Sequence, residues 1–133
     1  MTVSLSFASL FVDDPERSAA WYQELFGLPE VEELASPWFR GLRIGPTVLG
    51  FSHPHAYELL ELPVPPPGSG GVATFLTFEA TDRPQVAALT DRASELGGVV
   101  VKSPYDTYYG AWQSVVQDPD GHAFRINFLP LTS

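Results

Sequence analysis

His53-Pro54-His55 sets two imidazoles two residues apart, a pair that could begin a metal site. The proline interrupts a strand and no acidic third ligand is placed nearby, so both read as loop histidines. His122 directly follows the turn glycine Gly121 and reads as a surface residue. With no cysteine in the chain there is neither a disulfide framework nor a thiolate metal site. No serine sits in a strand–turn–helix elbow, and no glycine-rich loop could cradle a phosphate. Aromatic residues are the stronger signal. Tyr105, Tyr108, Tyr109 and Trp112 crowd one short stretch, and a loop cannot bury so many rings. Flat rings presented beside Gly110 would suit stacking against a planar or cationic ligand.

The elements that must position these groups follow from local patterns. Trp112–Gln117 and Ala123–Phe128 read as two strands joined by the turn Asp118-Pro119-Asp120-Gly121. In the second strand Phe124, Ile126 and Phe128 share one face, and Arg125 and Asn127 the other. Val3–Val12 is strand-like. Asp14, Pro15 and Glu16 form a helix start, and Gly27 can close that helix in the left-handed conformation. Val31–Ala35, Phe39–Ile44 and Thr47–Ser52 read as three short strands. Pro63–Gly71 is a linker by composition. The pattern then repeats, with a strand over Ala73–Ala80, a helix capped by Asp82 and a strand over Val99–Lys102 ahead of the aromatic loop.

Acidic residues outnumber basic ones 16 to 7, giving a net charge of −9, which disfavours a nucleic-acid partner and would favour cationic ligands. Hydrophobic residues make up 44% and charged residues 17%, a globular composition. No apolar run approaches a membrane span, and the N-terminus lacks a signal-peptide pattern, so no membrane partner and a cytoplasmic location are expected.

The repeat is visible residue by residue. Ser9-Leu10-Phe11-Val12-Asp13-Asp14 aligns on Thr77-Phe78-Glu79-Ala80-Thr81-Asp82, and the same shift puts Phe7 on Phe75. Two copies of one strand–helix–three-strand module are predicted within a single domain spanning 1–133, about 1–62 and 72–133, joined by the linker 63–71. Through Leu10–Leu28 (LFVDDPERSAAWYQELFGL), Thr77–Asp82 (TFEATD) and the DPDGH turn Asp118–His122, nearly the whole chain resembles the vicinal oxygen chelate superfamily, also called the glyoxalase/bleomycin-resistance/dioxygenase family.

That resemblance implies an α+β fold of two βαβββ modules. They would form a curved, mostly antiparallel sheet that lines a cleft, with helices outside. It also implies a homodimer. Leu10, Val12, Leu49, Phe51, Leu76, Phe78, Phe124, Ile126 and Phe128 would face the helices. Phe7, Ser9, Phe75, Glu79 and Arg125 would line the cleft, with Trp38, Tyr109 and Trp112 near its mouth. Glu79 could act as a general base if buried, or pair with Arg125 in a salt bridge, the preferred reading. Metal-dependent members of the family carry their ligands at positions that fall here on Phe7, Gly50, Phe75 and Arg125. None of these binds a divalent metal in the usual way, so no metal and no cofactor are expected. The resemblance then implies a metal-free protein that sequesters an aromatic, antibiotic-like and even cationic small molecule, in the manner of bleomycin-resistance proteins. The alternative is a glyoxalase- or dioxygenase-like enzyme.

Overall fold

The structure is a computed structural model that describes residues 2–130. The two ends of the expected 1–133 span, residue 1 and residues 131–133, lie outside the described residues. The chain divides into two compact units, one up to Ser69 and one from Gly70.

In the first unit, β1 (Phe7–Phe11) leads into α1 (Pro15–Phe26). The Asp14 carboxylate accepts from the Arg17 amide at 3.1 Å, and Pro15 occupies the first turn. Both features satisfy or remove donors that a helix start otherwise leaves open. Gly27 closes the helix at φ 69°, a conformation costly for a residue with a Cβ. β2 (Phe39–Ile44) and β3 (Thr47–Ser52) follow, and the sheet runs β1-β3-β2, with β1 parallel and β2 antiparallel to β3. α1 packs on β2 and β3, where Tyr22, Leu42, Leu49 and Phe51 are almost fully buried. Each such side chain contributes roughly 1.5–3 kcal/mol of hydrophobic burial.

Val31–Ala35 is not the expected strand. Glu32–Leu34 forms a 3-10 turn, and the residues flanking the segment meet β2 through the isolated bridges Glu30–Leu42 and Ser36–Phe39. A second departure is α2 (His55–Leu59), a short helix after β3 that includes one of the two expected loop histidines. Its Tyr57 stacks on Phe11 with ring centroids 3.9 Å apart.

The second unit holds β4 (Leu76–Glu79), α3 (Arg83–Glu95), β5 (Val99–Asp106), β6 (Trp112–Gln117) and β7 (Ala123–Phe128). The order is β4-β7-β6-β5, with β4 parallel to β7 and the other pairs antiparallel. Asp82 caps α3 by accepting from the Gln85 amide at 2.8 Å. The predicted turn is held by Asp118, whose Oδ1 accepts from the amides of Asp120 and His122 at 2.9 and 3.0 Å. This turn sets Gln117 opposite Ala123 and so fixes the register of the whole hairpin. α3 covers one face of the sheet, burying Val86, Val116, Phe124 and Ile126. The first strand of each module is shorter than expected, since β1 begins at Phe7 and β4 at Leu76. The fold class is the predicted one, α+β with two related modules: the second unit is a complete βαβββ module and the first keeps three of its four strands, each with its long helix on one face of its sheet.

Candidate functional site

Each sheet has a face turned away from its long helix, and the polar chemistry concentrates on that of the second unit. Strand alternation puts Thr77 and Glu79 of β4, Arg125 and Asn127 of β7, and Gln113 and Val115 of β6 on this face. Register then sets Thr77 and Val115 on either side of Arg125, and Glu79 and Gln113 on either side of Asn127.

The side chains join into one hydrogen-bonded network. The carboxamide of Gln113, only 2% exposed, sits at its centre. Its Nε2 donates to the Tyr109 hydroxyl at 2.8 Å and to Asn127 Oδ1 at 2.9 Å. Its Oε1 accepts from the Tyr105 hydroxyl at 3.0 Å and, at the long limit of 3.5 Å, from Arg125 Nη1. Every donor and acceptor of that buried amide is thereby used. Asn127 Nδ2 donates in turn to Glu79 Oε1 at 2.8 Å, and the Leu129 amide donates to Glu79 Oε2 at 2.6 Å.

Arg125 is held from three sides by neutral groups. Its Nε donates to Thr77 Oγ1 at 2.9 Å and its Nη1 to the Tyr109 hydroxyl at 3.2 Å. Its guanidinium carbon lies 5.0 Å from the centroid of the Phe75 ring. Beside it opens a cavity of about 410 Å³, with apolar walls from Val72, Phe75, Val101 and Val115 and with Tyr105, Gln113, Gln117 and Arg125 as polar lining. That size and mixture suit a small organic ligand.

The expected site residues separate as follows. Phe75, Glu79, Tyr109 and Arg125 belong to this cavity or its network. Glu79 does not pair with Arg125. It stands opposite Asn127, is exposed, and gives its two oxygens to Asn127 and the Leu129 amide. Trp112 is on the wrong face. It pairs directly with Phe128, beside the Ser114–Ile126 pair, and Arg83 of α3 lies 4.4 Å over its ring. Ser114 on the same face bonds Thr90 of α3 at 2.7 Å. Trp112 is therefore part of the packing beneath α3.

Phe7, Ser9 and Trp38 lie in the first unit. Phe7 packs against Phe39 with centroids 6.2 Å apart, and Trp38 meets the rings of His53 and His55 at 4.9 and 4.6 Å. Ser9 stands opposite Gly50. Tyr105, expected in the aromatic cluster, bonds Gln113 and lines the cavity, whereas Gln113 was missed, although counting outward from the turn puts it across from Asn127.

The positions where the resemblance places metal ligands do not fit a metal. A Cβ built on Gly50 would meet Ser9 Oγ at 2.6 Å and the Phe39 ring at 2.7 and 2.8 Å, so the space a ligand side chain would need is filled. Arg125 is a permanent cation, and two of the remaining positions are Phe. Among the described residues no three His, Cys, Asp or Glu side chains are grouped to hold an ion. Nor is any helix among them long and apolar enough to cross a membrane.

Comparison with known proteins places this geometry in context. No curated protein matches the sequence significantly. Among solved structures, the chain is similar to a glyoxalase/bleomycin resistance protein/dioxygenase family enzyme from Burkholderia phytofirmans PsJN. The two are 35% identical over 96% of this chain and 100% of that one, with a TM-score of 0.88. A glyoxalase-related enzyme from Fulvimarina pelagi is 25% identical over 98% and 93% of the two chains, with a TM-score of 0.82. Lactoylglutathione lyase from Agrobacterium tumefaciens, at 22% identity over 96% and 95% and a TM-score of 0.73, shares the fold. The sequence model described as Glyoxalase/Bleomycin resistance protein/Dioxygenase superfamily matches residues 4–126, nearly the whole of both repeats, and the chain belongs to that superfamily.

Proposed function

We propose that the protein binds and sequesters a small aromatic, antibiotic-like molecule without a metal, in the manner of bleomycin-resistance proteins. The observation that carries this reading is the cavity in the second unit, with Arg125 standing where metal-dependent relatives would place a ligand. Sequestration needs no bond to be made or broken. It needs apolar area and a few fixed polar groups, which Phe75, Val101, Val115 and the satisfied Gln113 network supply. The charged group lining the cavity is a cation, Arg125, so a cationic ligand is disfavoured there. A homodimer belongs to the same reading: Leu5, 65% exposed, would be covered by a second copy, while Phe11, expected beside it, is already stacked on Tyr57.

The test is a titration of chelator-treated protein with a panel of planar aromatic antibiotics, followed by amide NMR. Binding should move the resonances of Val101, Val115 and Arg125. Val115→Trp, which fills the cavity, should weaken binding by at least about tenfold, equivalent to about 1.4 kcal/mol. Unchanged affinity in that variant would remove the site. The enzyme reading is favoured by two similar structures described as enzymes. Turnover of a small 2-oxo or diol substrate, with no antibiotic bound, would put it in place of the binding reading.

A further inference from the structure

The Arg125 guanidinium has capacity that the protein does not use. Its Nε is bonded to Thr77 and its Nη1 to Tyr109 and, weakly, Gln113. Its Nη2 makes no hydrogen bond among the described residues, and no described carboxylate lies within ion-pair distance of it. The other ion pairs show the contrast. Arg83 is matched by Asp106 at 2.6 Å, and Arg40 lies between Glu16 and Glu30 at 3.8 and 3.7 Å. The carboxylate on the same face as Arg125, Glu79, is occupied by Asn127 and the Leu129 amide. A half-buried cation beside an apolar wall with only neutral partners is an incomplete electrostatic arrangement.

A second donor stands next to it. The Tyr109 hydroxyl accepts from both Gln113 Nε2 and Arg125 Nη1, which uses its two lone pairs and leaves its own proton to donate. Free N–H groups on Arg125 and a free O–H on Tyr109 thus stand side by side next to a cavity whose other lining is apolar apart from Tyr105, Gln113 and Gln117.

We propose that the cavity takes a ligand with an anionic oxygen group, of the carboxylate class. The ligand's charge would be held by Arg125 and Tyr109, and its planar apolar body would lie against Val72, Val101 and Val115. This rests on the reading of the cavity as a ligand site and names the chemistry that the site selects. The guanidinium fork matches a carboxylate in geometry as well as charge. Repulsion by the chain's net charge of −9 acts over longer distances and is largely screened beyond about 10 Å at 0.1 M salt. The local contact therefore decides the preference.

The experiment compares three probes of one shape and different charge: 2-naphthoate, 2-naphthamide and 2-naphthylmethylamine. Each is titrated to about 10 mM, well past a millimolar Kd, and followed by the Arg125 Nε–H and the backbone amides of β6 and β7. Naphthoate should bind about tenfold tighter than the amide and shift the Arg125 Nε–H. Arg125→Gln should abolish the difference between acid and amide. Tyr109→Phe, a milder change, should weaken naphthoate several-fold and leave the amide unaltered. If acid and amide bind in the cavity equally, or the amine binds best, the anion preference is wrong while the ligand site stands. If none of the three moves a cavity resonance, both the preference and the binding reading fall.

Discussion

Replacing Gln113 with Leu tests whether the polar network is as tightly specified as its geometry indicates. Leu fills nearly the same volume, so little cavity is created. Three of the four groups bonded to Gln113 border the open face, where Tyr105, Tyr109 and Arg125 can turn to water. Asn127 cannot. It is 6% exposed, its Oδ1 receives Gln113 Nε2, and the substitution leaves that oxygen buried without a donor. An orphaned buried acceptor costs about 1–3 kcal/mol, and we expect a loss near 2 kcal/mol. Urea unfolding followed by far-UV circular dichroism measures it. The companion variant Asn127→Leu, and the double variant, complete a cycle. Once the orphaned oxygen is also removed, the double variant should be more stable than the sum of the two single losses predicts. A Gln113→Leu protein within about 0.5 kcal/mol of wild type, or a strictly additive double variant, would refute the reasoning.

Further outcomes follow from single contacts. Gly50→Ala should destabilise by about 1–3 kcal/mol through overpacking against Ser9 and the Phe39 ring, and Phe39→Leu in the same chain should recover part of it; thermal unfolding reads both. Trp112→Ala should cost about 2 kcal/mol of stability yet leave the affinity for any cavity ligand within about twofold, because its ring lies beneath Arg83 on the helix side. Asp118→Ala should cost about 1–3 kcal/mol, by unbinding the amides of Asp120 and His122 that hold the β6–β7 turn, and chemical denaturation checks it. Light scattering at micromolar concentration should give the mass of a dimer, and a clean monomer would contradict that expectation.

The sequence carried most of the fold because its signals are local. Asp14-Pro15 and Gly27 set the ends of α1 through capping and left-handed geometry. The DPDG turn set the β6–β7 hairpin, and strand alternation put Arg125 and Asn127 on one face. Errors arose where pairing decides. Val31–Ala35 has strand-like composition, but it is the flanking Glu30 and Ser36 that make isolated bridges to β2, and the residues between them wind into a 3-10 turn. Glu79 and Arg125 share a face, yet the parallel register offsets them by one pair and gives Glu79 to Asn127. Trp112 opens the expected strand but was expected near the mouth of the cleft. Its place opposite Phe128 puts it on the helix side, and the register of the Asp118 turn already contained that fact. Two residues of β5 that line the cavity, Val101 and Tyr105, lie at register shifts between Val100 and Lys102 and between Lys102 and Tyr105, and no local pattern announced them.

The central claim is that this member of the superfamily binds its ligand without the metal used by metal-dependent relatives. Elemental analysis of the purified protein by plasma mass spectrometry tests it directly. The protein is expected to hold no stoichiometric zinc, nickel, iron or manganese. One equivalent of any of these per chain, lost on chelation together with thermal stability, would contradict it.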